Sequence, residues 1–499
     1  MSSLPSDFVV VAKPAGSGDA ASAGGDGGGG ALACCCCMRT CAYDPSAPRE
    51  LRRCACWRRA SCRWRCGYCC CAGAGVFALV LVALCIAVTA AKSVDCKATP
   101  GYAPGDNARN VPVIYVQSQG GGYLDKGGRR VYMDWQSALG LGADGNTDIS
   151  LPGTWQGSVA DAADPALFYQ TRDGVTVEDG EGGLLKDVCL GCLYCFDVLQ
   201  TFVSWTQSCM NRPIHFFTYD WRRDQYEAFT RFRAFARSVS LAHGQSKVQI
   251  VGFSTGASLG LALLNVEPGL VHSAVFVSAA FSPGLSQARY MGSGAGDGSW
   301  GLSNRNKWFP FSSYWTMALP YGFLALAPGD RRWANGVVKS FKDSATGADV
   351  PLDLSSAQTW LDYGLMPFSA GDPRVAVLSN ILLRSRMLRE LLQPNASVAY
   401  PPTAVITSVL GTMTGGSGNY SVNVAAKTID WTATGPSPTG DGAVCTACAM
   451  PPYPVGANRV FYSKSGFTHR QMMLDMTAMK NAMDSVGPYP SAPIPAIFA

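Results

Sequence analysis

The residues with the clearest chemistry lie in one short turn, Gly252-Phe253-Ser254-Thr255-Gly256. The mostly β-branched run at 248–251 predicts a buried strand before it, and the small and leucine-type residues at 257–264 predict a helix after it. A G-x-S-x-G sequence between a strand and a helix is typical of a nucleophile elbow, in which a strained serine stands above a sheet. The helix N-terminus behind the serine also favours negative charge on an oxyanion. We therefore expect Ser254 to be a catalytic nucleophile; a purely structural turn is the alternative.

A serine nucleophile needs a base, and the chain offers 4 histidines. In α/β hydrolases the chain order is serine, then acid, then histidine. His215 and His243 precede Ser254, and His272 begins a predicted parallel strand, at the edge of the sheet away from the catalytic loops. His469 lies in a loop before a predicted C-terminal helix, so we predict that His469 is the catalytic base.

Two aspartates between the last predicted strand and His469 are candidates for the acid. Asp441 lies in the loop Gly440-Asp441-Gly442-Ala443-Val444, and Asp430 precedes it. The acid is needed to hold the imidazole tautomer and to stabilise the imidazolium that forms when histidine takes the serine proton. We predict Asp441 for this role, with Asp430 as the second candidate.

The elements around the elbow alternate between strand and helix. Buried strands are predicted at 112–116, 215–219, 248–251, 273–280 and 405–410, and helical stretches at 187–207, 226–243 and 257–264. This pattern predicts an α/β fold, namely an α/β-hydrolase fold with a mostly parallel central sheet covered on both faces. An inserted cap is expected at about 284–400, where aromatic residues crowd into a segment rich in Gly and Pro.

The chain before residue 92 predicts a membrane anchor. Residues 1–33 are mostly Gly, Ala and Ser and are expected to form a disordered tail. Residues 34–71 contain most of the 20 cysteines among many arginines; we expect palmitate-accepting juxtamembrane cysteines, with a zinc site as the alternative. Residues 72–91 carry no charge and are long enough to cross a ~30 Å hydrocarbon core, so they predict a single transmembrane helix rather than a signal peptide.

The arginines lie on the amino-terminal side of that helix, which sets the predicted orientation. The positive-inside rule places the amino terminus in the cytosol. Residues 92–499 would then face the lumen of the endoplasmic reticulum or secretory pathway, or the outside, as in a single-pass type II membrane protein. The net charge of +5 comes largely from this flank, which favours contact with anionic lipid and argues against nucleic acid.

An oxidising compartment would permit disulfides and glycosylation. Disulfide candidates are Cys445 with Cys448 and the cysteines at 189–209, with zinc-binding CxxC pairs as the alternative. The sequons at Asn395 and Asn419 fit a luminal domain. We expect no cofactor and no metal in the catalytic site.

From about Pro112 to the C-terminus, the chain resembles the lecithin:cholesterol acyltransferase family, which includes phospholipid:diacylglycerol acyltransferases and a lysosomal phospholipase. The resemblance covers most of the predicted luminal part but not its cap. It lies in five pieces that match in order and spacing: Pro112-Val113-Ile114-Tyr115-Val116 with the Gly-rich loop at 117–122, Tyr219-Asp220-Trp221-Arg222, the elbow at Ser254, Gly440-Asp441-Gly442-Ala443-Val444, and His469.

The resemblance implies a catalytic triad of Ser254, Asp441 and His469. It also implies an oxyanion hole made by the backbone amides of Gln119 and Thr255. The chain departs from the family in several places, none of which removes a triad side chain. These are Gln117-Ser118 in place of Pro-Gly, Phe253 and Thr255 in place of the common His and Met, and Ala443 in place of Thr.

The activity implied by the resemblance is that of an O-acyltransferase of lipid metabolism. Such an enzyme moves a fatty acyl chain from a phospholipid donor to a lipid alcohol, either diacylglycerol or a sterol, through a serine acyl-enzyme. Two alternatives remain open. One is a phospholipase or lipid esterase that uses water as the acceptor, and the other is a non-catalytic lipid-binding protein that keeps the hydrolase fold.

Overall fold

Strands and helices alternate through the part of the chain that the computed structural model describes, namely residues 111–132, 175–190, 194–210, 212–281, 315, 321–324, 341–393, 405–412, 419–434, 440–444, 446–451 and 458–484. The predicted tail at 1–33, the Cys/Arg-rich segment at 34–71 and the predicted transmembrane helix at 72–91 lie outside these residues, as does most of the aromatic segment of the predicted cap. Among the described helices, none is long and apolar enough to cross a membrane.

The described strands are β1 (Val113–Val116), β2 (Asp125–Lys126), β3 (Arg129–Arg130), β4 (Val175–Thr176), β5 (Asp187–Leu190), β6 (Tyr194–Asp197), β7 (Ile214–Phe217), β8 (Val248–Phe253), β9 (Val271–Val277), β10 (Phe341–Asp343), β11 (Asp349–Val350), β12 (Val405–Thr412), β13 (Asn419–Asn423), β14 (Thr428–Thr434) and β15 (Asn458–Ser465). The described α-helices are α1 (Gln200–Cys209), α2 (Gln225–Ala242), α3 (Gly256–Val266), α4 (Tyr321–Leu324), α5 (Ala357–Asp362), α6 (Arg374–Leu391), α7 (Gln471–Leu474) and α8 (Met476–Asp484).

The central sheet has six strands in the order β15-β12-β9-β8-β1-β7, and every pairing in it is parallel. Strand β8 lies inside the sheet, and all of its residues are buried. A parallel strand covered on both faces reads as a continuous apolar run rather than an alternating one. The prediction of an α/β fold with a mostly parallel central sheet is therefore confirmed, and the strand that leads to Ser254 is one of its inner strands.

The two faces of the sheet are covered by different helices. Successive strand residues point to opposite faces, so Ile114 of β1 joins the apolar cluster that includes α2, α3 and α6, whereas Tyr115 joins the cluster that includes α1, α7 and α8. Each buried Leu, Val or Phe side chain stabilises the fold by about 1.5–3 kcal/mol. Two apolar faces therefore hold the sheet rigidly beneath the loops at the carboxyl ends of its strands.

The expectation of helical structure at 187–207 is wrong at 187–190 and 194–197 and right from residue 200 onward. Strands β5 and β6 form an antiparallel hairpin, in which Asp187 pairs with Asp197, and α1 begins only at Gln200. Gly191 interrupts the segment, and glycine is a poor residue for a helix interior. The aromatic residues Tyr194 and Phe196 favour a strand.

Helix α6 lies within the range predicted for the cap, yet it packs on the body of the fold. Its residues Leu378 and Ile381 belong to the same buried cluster as α2 and α3. A second, smaller sheet, with strand order β11-β10-β13-β14, draws strands from both sides of β12 in sequence. Residues 282–314 and 325–340, which hold most of the remaining predicted cap, lie outside the described part of the chain.

Candidate active site

Ser254 lies at the sharp turn between β8 and α3. Its φ is 52°, in the left-handed region, where a residue with a side chain is strained by about 1–2 kcal/mol. Two hydrogen bonds hold the turn, because the Ser254 N–H donates to the Val277 carbonyl at 2.9 Å and the Ser254 carbonyl accepts from the Ala280 N–H at 3.1 Å. The described structure thus places Ser254 at the carboxyl end of an inner strand, in the conformation expected of a nucleophile elbow.

The glycines on either side of Ser254 are needed because backbone lies against both. A Cβ atom on Gly252 would lie 2.6 Å from the Ala257 Cα. A Cβ atom on Gly256 would lie 2.3 Å from the Gln117 carbonyl oxygen, which belongs to the loop after β1. Only glycine permits these approaches, so the G-x-S-x-G spacing fixes the elbow against the Gly-rich loop.

Asp441 and His469 are brought into direct contact. The His469 Nδ1 lies 2.7 Å from the Asp441 Oδ2, and the His469 N–H donates to the Asp441 carbonyl at 2.8 Å. Because an ionised carboxylate can only accept, Nδ1 carries the proton in this contact. That tautomer leaves Nε2 with a lone pair, which is the state needed to take a proton from serine.

The Asp441 carboxylate is held in its ionised form although its side chain is fully buried. Burial alone would raise the pKa of Asp441. His469 and the N–H groups of Val444 and Ala443, which donate to Oδ1 at 2.8 and 3.0 Å, more than offset the burial, so the pKa lies below its ordinary value. Asp430, the second candidate, lies in β14, where it pairs with Ser421 across a hairpin.

His469 lies close to the elbow. Its ring centroid is 5.2 Å from that of Phe253, the residue before Ser254. The Ser278 hydroxyl, at the end of β9, donates to the His469 carbonyl at 3.2 Å. Among the described residues, no hydrogen bond joins the Ser254 hydroxyl to His469, and in the absence of substrate such a contact is often long. Sequence reasoning missed Ser278.

The Gly-rich loop after β1 brings Gln119 to the elbow in an unexpected way. The Gln119 N–H, predicted to be an oxyanion donor, donates to the Thr255 hydroxyl oxygen at 2.7 Å. The Thr255 N–H, the other predicted donor, makes no hydrogen bond to any described residue. One of the two amides is therefore open, and the other is occupied by a side chain of the protein itself.

Two aromatic residues hold this loop in place. The Tyr219 hydroxyl donates to the Gln117 carbonyl at 3.2 Å, and the Gln117 side-chain amide donates back to the Tyr219 carbonyl at 2.5 Å. The Trp221 indole N–H donates to the Gly122 carbonyl at 2.9 Å. The Tyr-Asp-Trp-Arg motif was identified from sequence only as a signature; in the structure its two aromatic residues fix both ends of the loop.

The three other histidines lie away from the elbow. The Nε2 atoms of His215 and His243 are 2.9 Å apart, on β7 and at the end of α2 respectively. The His272 Nδ1 lies 3.0 Å from the Ser273 hydroxyl at the start of β9. All three therefore lie apart from the contact between Asp441 and His469.

Two cysteines of the described region form disulfides. Cys209 and Cys448, both from groups expected to form disulfides, are each disulfide-bonded. Among the described residues, no cluster of three or more His, Cys, Asp or Glu side chains could hold a metal ion.

No protein-family model and no curated protein sequence matches this chain. Among solved structures, the chain is similar to a thioesterase domain from the curacin biosynthetic pathway, at 13% identity and a TM-score of 0.22, over 56% of this chain and 83% of that domain. It is also similar to a probable hydrolytic enzyme from Pseudomonas aeruginosa PAO1, at 13% identity and a TM-score of 0.17, over 42% of this chain and 60% of that enzyme. Alignments at this level say nothing about activity, and the fold rests on the sheet order and the elbow.

Proposed function

We propose that this protein is a serine-dependent acyl-transfer enzyme, with Ser254 as nucleophile, His469 as base and Asp441 as acid. The observation that carries the proposal is the 2.7 Å contact between the His469 Nδ1 and the Asp441 Oδ2, beside a serine in a strained elbow. A buried carboxylate, an oriented imidazole and a strained serine together supply the parts of a serine hydrolase triad.

The proposed reaction has two balanced halves. In the first, the Ser254 Oγ attacks the ester carbonyl carbon while its proton passes to the His469 Nε2. The ester C–O bond then breaks as His469 returns the proton to the leaving alcohol, which leaves an acyl-enzyme. In the second half, an acceptor hydroxyl gives its proton to His469 and attacks the acyl carbon, and Ser254 leaves with the proton. Asp441 stabilises the imidazolium in both halves.

The finer proposal is that the donor is a phospholipid and the acceptor a lipid alcohol, either diacylglycerol or a sterol. It is supported by the resemblance of five sequence pieces, from Pro112 to His469, to the lecithin:cholesterol acyltransferase family. We also propose that 72–91 anchors the protein in a membrane, with the catalytic domain on the luminal or outer side. An anchored enzyme meets both lipids in the plane of one bilayer. Hydrolysis, with water as acceptor, is the alternative within the same mechanism.

A non-catalytic lipid-binding protein is the second candidate, and one observation favours it. The Gln119 amide is occupied by the Thr255 hydroxyl, so the oxyanion hole is incomplete in the described structure. The contact between Asp441 and His469 weighs against this candidate, because it orients the imidazole for proton transfer, which lipid binding alone does not require.

The experiment that tests the proposal is a lipid-product assay with the purified full-length protein in mixed vesicles. The vesicles contain phospholipid with a labelled acyl chain, with or without diacylglycerol or sterol. The account predicts labelled triacylglycerol or sterol ester when the acceptor is present, and no product from the Ser254→Ala variant. Free fatty acid alone, at every acceptor concentration, would assign the protein as a phospholipase. No product of either kind would favour the non-catalytic candidate.

A further inference from the structure

The hydroxyl of Thr255 occupies a position that the reaction itself needs. An oxyanion donor must lie about 2.7–3.1 Å from the developing negative oxygen. The Gln119 N–H already has an acceptor at that range, since the Thr255 Oγ1 is 2.7 Å from the Gln119 nitrogen. A backbone amide has one hydrogen to donate. A substrate oxygen and the Thr255 hydroxyl therefore compete for the same donor.

The loop cannot easily move away to relieve that competition. Its start is pressed against the elbow, where the Gln117 carbonyl leaves no room for a Cβ atom on Gly256. Its two ends are bonded to Tyr219 and Trp221, both of which are buried. Contacts of Gln117 and Gly122 thus hold the loop that carries Gln119, in addition to the hydrogen bond from Gln119 to Thr255.

Other contacts also hold Thr255 in this position. It is 3% exposed, and its hydroxyl also faces the phenol of Tyr219. The Gln225 side-chain amide donates to the Thr255 carbonyl at 2.9 Å, which fixes the backbone of the residue but not its χ1 angle. Rotation of Thr255 about χ1 between staggered positions is consequently a local change that would free the Gln119 amide.

We propose that the Thr255 hydroxyl is a resting occupant of the oxyanion hole, which the substrate oxygen must displace before the Ser254 adduct is stabilised. The proposal rests on the proposed function. It makes Thr255 a residue that limits the rate of acylation, through its side chain, while its backbone amide supplies one of the donors. A charged oxygen forms a hydrogen bond about twice as strong as a neutral one, so displacement is favoured only as negative charge develops.

The test compares two variants that separate the hydroxyl from the methyl group. Thr255→Ala removes both, whereas Thr255→Ser keeps the hydroxyl and removes the methyl group alone. The probe is a fluorophosphonate, whose reaction with serine places an oxygen in the oxyanion hole, and the measured quantity is the second-order rate constant of labelling of the full-length protein. We expect Thr255→Ala to label about fivefold faster than Thr255→Ser and faster than the wild type. That factor equals about 1 kcal/mol, the net contribution of one hydrogen bond.

Labelling of Thr255→Ala at or below the rate of Thr255→Ser would overturn the inference and leave the proposed function standing, provided that the wild type is labelled at Ser254. No labelling of either the wild type or Thr255→Ala would overturn both. If Thr255→Ala does not fold, the structure of the wild-type phosphonate adduct decides. The account requires the phosphonyl oxygen within hydrogen-bond distance of the Gln119 nitrogen and a rotated Thr255. An adduct with the Thr255 Oγ1 still bonded to Gln119 would overturn it.

Discussion

At the scale of single residues, Asp441 has the most constrained environment in the candidate site. It accepts hydrogen bonds from two backbone amides through one oxygen and contacts the His469 imidazole through the other. These contacts define both the charge of the carboxylate and the tautomer of the histidine. A change that keeps the size of Asp441 but removes its charge should therefore affect chemistry more than folding.

We predict that Asp441→Asn folds but loses activity by about 10⁴-fold, the loss seen when a serine-protease triad aspartate becomes asparagine. An amide nitrogen facing Nδ1 favours the wrong tautomer, so Nε2 can no longer take the serine proton. The measurement is the rate of acyl transfer by the purified variant, with thermal unfolding as a check on its fold. Asp430→Asn is the matched control and should be mild. A large loss of activity in Asp430→Asn, together with near wild-type activity in Asp441→Asn, would assign the role of triad acid to Asp430 instead.

At the scale of elements, the junction between α2 and α6 depends on a buried ion pair. The Arg384 Nε lies 2.8 Å from the Asp224 Oδ2, and both side chains are inaccessible to solvent. Asp224 also caps α2, because its Oδ1 accepts from the Glu227 N–H at 2.8 Å. Helix α2 leads into the elbow strand, and α6 packs against α2. The ion pair therefore links these two helices in the body of the fold.

Removing one partner of this pair should be costly. We predict that Arg384→Met lowers the free energy of unfolding by about 3–5 kcal/mol, because it leaves the Asp224 carboxylate buried without its counter-charge. The measurement is urea unfolding followed by tryptophan fluorescence. Combining Arg384→Met with Asp224→Asn should restore part of the loss, since asparagine is also a good helix cap. A single variant as stable as the wild type would contradict this account of the junction.

The same junction predicts a dependence of stability on pH. Burial, and then the nearby charge of Asp224, raise the pKa of Glu227 from 4.5 to about 7 in the folded state. Between these values the folded protein holds a proton that the unfolded chain has lost, so the free energy of unfolding falls as the pH rises. The fall due to Glu227 is on the order of 3 kcal/mol.

Glu227→Gln cannot ionise and should lose this part of the pH dependence. The measurement is the free energy of unfolding from pH 4.5 to 8. Asp372→Asn is the control, because bonding to Arg374 lowers the pKa of Asp372 to about 2, and that carboxyl stays ionised over the whole range. A Glu227→Gln profile parallel to that of the wild type would contradict the assignment.

Local sequence signals predicted the strand, turn and helix of the elbow. They could not predict contacts between segments that are distant in sequence. The glycines at 252 and 256 and the apolar run of β8 are local features of the sequence, so the turn could be recognised without knowledge of its distant contacts. The hairpin β5–β6 depends on pairing of Asp187–Leu190 with Tyr194–Asp197, and the helical expectation missed it. The hydrogen bonds from Tyr219 and Trp221 to the Gly-rich loop span about 100 residues of sequence, and the Asp224–Arg384 pair spans 160, so no periodic pattern reveals them.

At the scale of the whole molecule, chain order and strand position alone led to Asp441 and His469 as the predicted acid and base. With 4 histidines, chain order and strand position left one candidate, and the structure brings that histidine to Asp441. The occupied Gln119 amide could not be foreseen, because it depends on how one threonine rotamer meets a loop from another part of the chain. The sequence also could not reveal that α6, within the expected cap, belongs to the main core.

The orientation in a membrane is a prediction for the whole chain. If the arginine-rich flank is cytosolic, protease added to sealed microsomes should remove only the segment before 72–91, and 92–499 should be protected until detergent is added. Mobility on a gel, read with antibodies to each end, measures this. Loss of a sugar chain in Asn419→Gln would be a second sign of a luminal domain. Digestion of 92–499 in sealed microsomes would contradict the orientation.

The most direct test of the central claim is the capture of an acyl-enzyme on Ser254. The full-length protein is mixed with phospholipid in the absence of an acceptor alcohol, quenched in acid, digested and examined by mass spectrometry. The account predicts that the peptide containing Ser254 gains the mass of the donor's fatty acid minus that of water, and that Ser254→Ala and His469→Ala show no such peptide. An acyl group on another residue, or turnover of phospholipid that survives in Ser254→Ala, would contradict it.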